Sequence, residues 1–355
     1  MRTGKRILAA LVCLVLCLSL VPAAFAVDSF DGEAVSTTAQ YGGLGTGRNG
    51  WYKDNANGKW QYFQNDVALS GDWLKASGKW YYFDSKGYML ADEITTIDGT
   101  KYYFNRSGVM AVSKWVEEDD DWLYAGNDGA IYKNRWLKSS NKWYYFDAEG
   151  YMLADCLEAI DGQVFWFSAN GAMNANKWYG FNNGDWAYFG ADGAAYVKKW
   201  LKSNNKWYYF DESGTMLAGD AQKDGSMIDV DGTTYWFAPS GAIYTNKWNK
   251  WLDTKGDEQW SYFGSDGAMC RSKWAQVGGK WYYFGSDGAM YADGYYKIGS
   301  AYYWFNASGA MQANKWYDFK DGTWAYFGSD GRAYVSRTAV INGKKYTFNS
   351  NGVTG

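Results

Sequence analysis

One feature limits this chain before any other: it repeats itself. Aligned on one aromatic or equivalent anchor position, fourteen units appear, with anchors at 60, 80, 101, 122, 143, 164, 186, 207, 234, 260, 281, 302, 324 and 345. Eleven of the thirteen spacings are 20–22 residues. The other two, 27 and 26, flank the ninth unit, where AQKDGSMIDV and NKWLDTKGDE read as loop insertions. A period this short denotes one small supersecondary unit per repeat, which must stack on its neighbours to bury anything. The unit GKWYYFDSKGYMLAD (78–92) is strand-like, with a turn at DSKG, and predicts a hairpin in which KWYYF pairs onward with YMLAD. Thirteen units carry Gly seven residues after the anchor, where a turn calls for positive φ. The residue three after the anchor is Phe in thirteen units and Ala125 in the other, as a shared interior requires. The expected fold is an all-β solenoid of about fourteen stacked β-hairpin repeats over residues 51–355.

Two further positions join neighbouring units. Nine units carry a Trp seven to twelve residues before a Trp anchor: Trp51/Trp60, Trp73/Trp80, Trp115/Trp122, Trp136/Trp143, Trp178/Trp186, Trp200/Trp207, Trp248/Trp260, Trp274/Trp281 and Trp316/Trp324. In each case the next unit has an aromatic residue just after its own anchor, in order Tyr81, Tyr102, Tyr144, Phe165, Tyr208, Tyr235, Tyr282, Tyr303 and Tyr346. The four units that lack the Trp pair yet have a successor are followed by Leu123, Ala187, Ser261 and Ala325. All thirteen junctions obey this rule. It predicts nine boxes, each with two indole walls from one hairpin and a third ring from the next, and four empty junctions. The pattern recurs about every three units, so copying of a triplet would also spread it. Met89, Met110, Met152, Met173, Met216, Met290 and Met311 stand nine after the anchor in receiving units and are candidates for the box floor. Of the remaining tryptophans, Trp166, Trp236 and Trp304 read as packing.

Residues 1–26 read as a signal peptide: Arg2, Lys5 and Arg6, then LAALVCLVLCLSLV, then Ala24-Phe25-Ala26. Residues 27–50 have the composition of a flexible linker. Export without a membrane span in the mature form is expected, and no sorting motif for a covalent anchor is seen. Removing three basic residues takes the formal charge from −3 to −6, which argues against a nucleic-acid or anionic-lipid partner. The chain has no histidine, which excludes Ser-His-Asp and Cys-His catalysis and most zinc chemistry. Cys156 and Cys270 read as free thiols, and EEDDD (117–121) as a solvated loop. No metal, cofactor or catalytic residue is called for.

Three electron-rich faces around one opening suit a quaternary ammonium or the apolar face of a sugar ring. The motif W-x(n)-G/N-K-W-Y-Y-F-x-x-x-G-x-M resembles the choline-binding, or cell-wall-binding, repeats of Gram-positive surface proteins. More distantly it is similar to the glucan-binding repeats of secreted glucosyltransferases, which units such as IDGTKYYFNRSG match equally well. The resemblance implies a left-handed solenoid with about three hairpins per turn. It also implies choline groups of teichoic acids held between hairpins by two Trp, one Tyr and often a Met. Where that family has Gly before the first Trp, this chain has Lys or Arg, as at 114–115, 135–136, 177–178, 199–200 and 273–274. The function expected is non-catalytic binding of a choline-bearing or other cell-wall or surface polysaccharide. A scaffold or adhesin for a protein partner is the rival of another class, and a carboxylate-based hydrolase ranks last. A homodimer through the repeat edge is open, as is the ligand itself.

Overall fold

The computed structural model describes residues 47–355. The segment read as a signal peptide and most of the linker lie outside the described residues. By internal contacts the chain divides into two compact units, one ending at Tyr196 and the other spanning Val197–Gly355. Each contains seven repeats, and each is all-β. The described residues form 29 strands paired as fourteen antiparallel hairpins, the first with a short third strand, Val67–Ala68.

The hairpin is not the one the sequence suggested. The strand Lys79–Phe83 pairs backwards with Asp72–Ala76, in the register Trp73↔Tyr82, Leu74↔Tyr81, Lys75↔Trp80. YMLAD meets KWYYF only at one bridge, Phe83↔Met89. Turn chemistry explains the choice. Ser77 and Gly78 join the two strands with φ of 52° and 75°, and two consecutive positive φ values make the primed turn whose twist matches antiparallel strands. The Asp84–Gly87 turn is instead closed by side chain: the Asp84 carboxylate accepts the N–H of Lys86 and of Tyr88 at 2.8 and 2.9 Å. That capping reverses the chain without starting a ladder.

Neighbouring hairpins are tied by a backbone bond that recurs at every junction inside a unit. The residue nine after an anchor donates its N–H to the carbonyl of the preceding anchor: Met89 to Trp60, Met110 to Trp80, Met152 to Trp122, Met290 to Trp260, all at 2.7–2.8 Å. Positions without Met keep the bond, as in Ile131 to Lys101 and Ala333 to Tyr302. Below it lies the predicted interior. Phe83, Phe104, Phe146, Phe167 and their equivalents are fully buried, and so is Ala125. Each buried Phe contributes about 1.5–3 kcal/mol, and the column of rings is the core of a fold whose units touch only their neighbours.

Gly108 shows why the position seven after the anchor is held so strictly. Its φ is +74°, and a Cβ there would meet Sδ and Cε of Met89 from the preceding hairpin. Gly99, in a hairpin turn at φ +79°, has open space around it. Gly99→Ala should therefore cost about 1–2 kcal/mol for the backbone alone. Gly108→Ala should add an overpacking cost of about 1–3 kcal/mol, measured as the difference in denaturant midpoints of the two variants.

Candidate functional site: aromatic boxes between hairpins

Alternation along five-residue strands gives each hairpin two unlike faces. Trp73, Lys75, Trp80 and Tyr82 point one way; Leu74, Tyr81 and Phe83 point the other. One face thus supplies two indoles towards the next hairpin, and the other supplies a single ring towards the hairpin before. The same register recurs with Trp136↔Tyr145 and Lys138↔Trp143, and with Trp200↔Tyr209 and Lys202↔Trp207.

Seven of the nine expected Trp pairs are brought within 6.2–6.5 Å. The two indoles of a pair stand nearly perpendicular: Trp73–Trp80 at 6.2 Å and 89°, Trp136–Trp143 at 6.3 Å and 90°, Trp51–Trp60 at 6.4 Å and 84°. Similar pairs are Trp115–Trp122, Trp178–Trp186, Trp200–Trp207 and Trp274–Trp281, at 6.3–6.5 Å. The third ring lies against the first Trp. Tyr81 is 4.9 Å from Trp51, Tyr102 5.0 Å from Trp73, Tyr144 5.0 Å from Trp115 and Phe165 5.0 Å from Trp136. In the second unit Tyr235, Tyr282, Tyr303 and Tyr346 meet Trp200, Trp248, Trp274 and Trp316 at 4.7–4.9 Å. Tyr208 opens the second unit, so the Trp178/Trp186 pair is described with its own hairpin only.

The two walls differ in burial. The first Trp leans on the core, with Trp73 5.8 Å from Phe104 and Trp115 5.6 Å from Phe146. Seven of the nine anchor indoles stay open to solvent, with Trp60, Trp122, Trp143, Trp186, Trp260, Trp281 and Trp324 39–45 % exposed, while Trp80 and Trp207 are half-buried. Rings that merely glued hairpins together would be covered by the contact they made. Here one wall is braced and the other is left uncovered at the same position in repeat after repeat.

The four remaining junctions are not empty, which corrects the sequence reading. Leu123 and Ala325 are wholly buried, as is Ser261. The slot is taken by a side chain from the strand opposite. Val116 faces Leu123 and packs with it beside Ile94 and Tyr103. Tyr179 faces Ala187 and lies 5.0 Å from Trp166; Tyr317 faces Ala325 and lies 5.1 Å from Trp304. Trp251, which has no role in the repeat pattern, packs against the cluster of Trp236, Phe263 and Met269. Its Nε1–H donates to Ser261 Oγ at 2.8 Å, and that hydroxyl donates to Gly288 O at 2.7 Å. A large residue opposite a small one was the available signal. That opposition exists only in the register of the true hairpin.

The candidate floor residues are placed in part. Met110 belongs to a buried cluster against which Trp73, Trp80 and Tyr102 pack, and Met173 and Trp136 pack against the cluster that contains Phe165. Their thioether ends, like those of Met89, Met152, Met216, Met290 and Met311, reach the turn glycine of the next repeat. The cation before the first Trp sits on the opposite strand face from that indole. Arg135 covers Tyr132 at 4.2 Å, Lys177 lies 5.9 Å over Trp166, and Lys247 lies 3.6 Å over Tyr244, all rings of the preceding repeat. Cys156 is half-buried and Cys270 buried, and burial raises the pKa of the Cys270 thiol above its ordinary value.

A solenoid of hairpins with aromatic boxes at its junctions defines a repeat-built binding protein. The chain belongs to the choline-binding repeat family, whose model matches residues 69–115, 135–178, 197–248 and 271–316; a second model, described as a putative cell wall binding repeat, matches 249–269. The chain is thus associated with the cell surface through its repeats. It is 33 % identical over 108 residues to glucosyltransferase-S of Streptococcus mutans, a match covering 30 % of this chain and 7 % of that protein's length. Choline binding protein F of Streptococcus pneumoniae is 25 % identical, with 87 % of this chain and 99 % of that one covered, at a TM-score of 0.40. The modular autolysin LytC of the same species is 26 % identical, with 68 % and 52 % covered, at a TM-score of 0.43.

If small slot residues are needed where a neighbour fills the junction, Ala325→Tyr should collide with Tyr317. A loss of about 1–3 kcal/mol is expected, read from chemical denaturation.

Proposed function

We propose that the protein is a non-catalytic, exported cell-wall-binding device that holds quaternary ammonium groups of a surface polymer, choline foremost, in the aromatic boxes between hairpins of each unit. The observation that carries this reading is the contrast between junctions. Trp51/Trp60, Trp115/Trp122, Trp136/Trp143, Trp178/Trp186 and Trp274/Trp281 each set a solvent-open anchor indole at 79–90° to its partner, while four junctions are closed by packing. A quaternary ammonium has no hydrogen bonds to satisfy and is drawn to ring faces, each worth about 0.5–2 kcal/mol. After the cost of association a single box binds at about millimolar strength. Several boxes on one chain, engaging a polymer that repeats its ligand, gain a factor of about 10²–10⁴ by avidity. The site residues are the Trp pairs and third rings named above, with Met110 and Met173 the best-supported floor residues. Among the described residues no helix is long and apolar enough to cross a membrane, and the proposed attachment is non-covalent.

A second reading has its own support. The match to part of a glucosyltransferase favours an α-glucan, whose sugar rings would lie on the same indoles. Tryptophan fluorescence titrated with choline and, separately, with dextran decides. A saturable response to choline in the millimolar range, lost at one box in Trp80→Ala, is expected. Silence to choline up to tens of millimolar alongside a response to dextran would move the ligand to glucan. Silence to both would favour a scaffold for a protein partner.

A further inference from the structure

The residue directly across the hairpin from the anchor indole is not uniform, and it shares the box face of the strand. In four boxes it is an exposed lysine: Lys53 opposite Trp60, Lys75 opposite Trp80, Lys138 opposite Trp143 and Lys202 opposite Trp207. Their ammonium groups lie over the anchor ring at 6.0, 5.2, 5.5 and 5.5 Å from its centroid, and no ion pair to a carboxylate holds any of the four. In a fifth box, Lys250 faces Trp260 but is neutralised by Glu258 at 2.6 Å. The other four anchors face Glu117, Gly180, Gln276 and Asp318.

We infer that these positions divide the boxes into two classes, and that Lys53, Lys75, Lys138 and Lys202 make their boxes selective for a zwitterion, a quaternary ammonium with an anionic phosphate a few atoms away. This rests on the boxes holding quaternary ammonium at all. A fixed ammonium beside the indole repels a second cation entering the box, and the repulsion is only weakly screened at that range. The same ammonium attracts an anion tethered to the incoming cation. A bare cation is therefore disfavoured at the four lysine boxes and a zwitterion favoured. At the Glu117 and Gln276 boxes no such discrimination arises.

The test is calorimetry of the full chain at low ionic strength with choline and with phosphocholine, beside a variant carrying Lys→Gln at 53, 75, 138 and 202. Circular dichroism checks that the variant folds, as four solvent-exposed side chains allow. Wild type should prefer phosphocholine about two- to fivefold at a subset of sites, the range of an exposed ion pair. The variant should lose that preference, bind choline at least as well, and show a weaker salt dependence. Gln276→Lys should create the preference at one further box. An unchanged phosphocholine-to-choline ratio in the lysine variant would overturn the inference while leaving the boxes intact. Binding of neither ligand by wild type would remove the box reading itself, and this inference with it.

Discussion

Within each unit, one recurring backbone hydrogen bond joins each hairpin to the next. It runs from the residue nine after one anchor to the carbonyl of the anchor before, as from Met110 to Trp80. The acceptor belongs to the same residue whose indole forms the open wall. Its main chain is therefore pinned by the neighbouring repeat while its side chain faces solvent. A wall held this way needs little ordering when a ligand arrives, and weak aromatic contacts can then appear as binding rather than be consumed by the entropy of fixing rings.

The same bond leaves the side-chain slot beside it free to vary. Because strand faces alternate, one hairpin's third ring and its core Phe lie together, and the slot can hold either that ring or an inward residue from the opposite strand. Tyr102 takes the first course and Ala187, covered by Tyr179, the second. Both keep the column of phenylalanines sealed. Binding and packing are thus alternative uses of one position, and a repeat can be switched between them by two side chains without touching the backbone.

Much of this was readable from the chain. The period, the buried Phe column and the third ring beside each first Trp inside a unit follow from where aromatic residues recur, since a five-residue strand offers few places to put a bulky ring. The strand pairing did not follow. KWYYF is flanked by turn residues on both sides, and only the positive φ at both Ser77 and Gly78, against the side-chain-capped turn at Asp84, shows which turn builds the hairpin. Assigning the wrong partner concealed Tyr179, Trp251 and Tyr317 as fillers, because their positions opposite Ala187, near Ser261 and opposite Ala325 exist only in the true register. It also hid the lysines, whose relation to the anchor indole is likewise one of register. The glycine seven after the anchor looked like a turn requirement alone. That it also makes room for a methionine from the preceding repeat is a contact between hairpins, which no local pattern encodes.

The division of labour between the two indoles has a consequence for stability. The first Trp touches its own cross-strand Tyr, the third ring and the next core Phe, as Trp73 does with Tyr82, Tyr102 and Phe104. Removing it would open the core as well as the box. The anchor indole contributes less to packing, being some two-fifths exposed in most repeats, so its retention as Trp at nine anchors is hard to ascribe to folding. Lys101, Val164, Thr234, Tyr302 and Lys345 stand at the remaining anchors. Where those anchors have a successor inside their unit, the interhairpin bond is still made. The backbone tolerates almost any anchor side chain. What selects tryptophan there is the space in front of it.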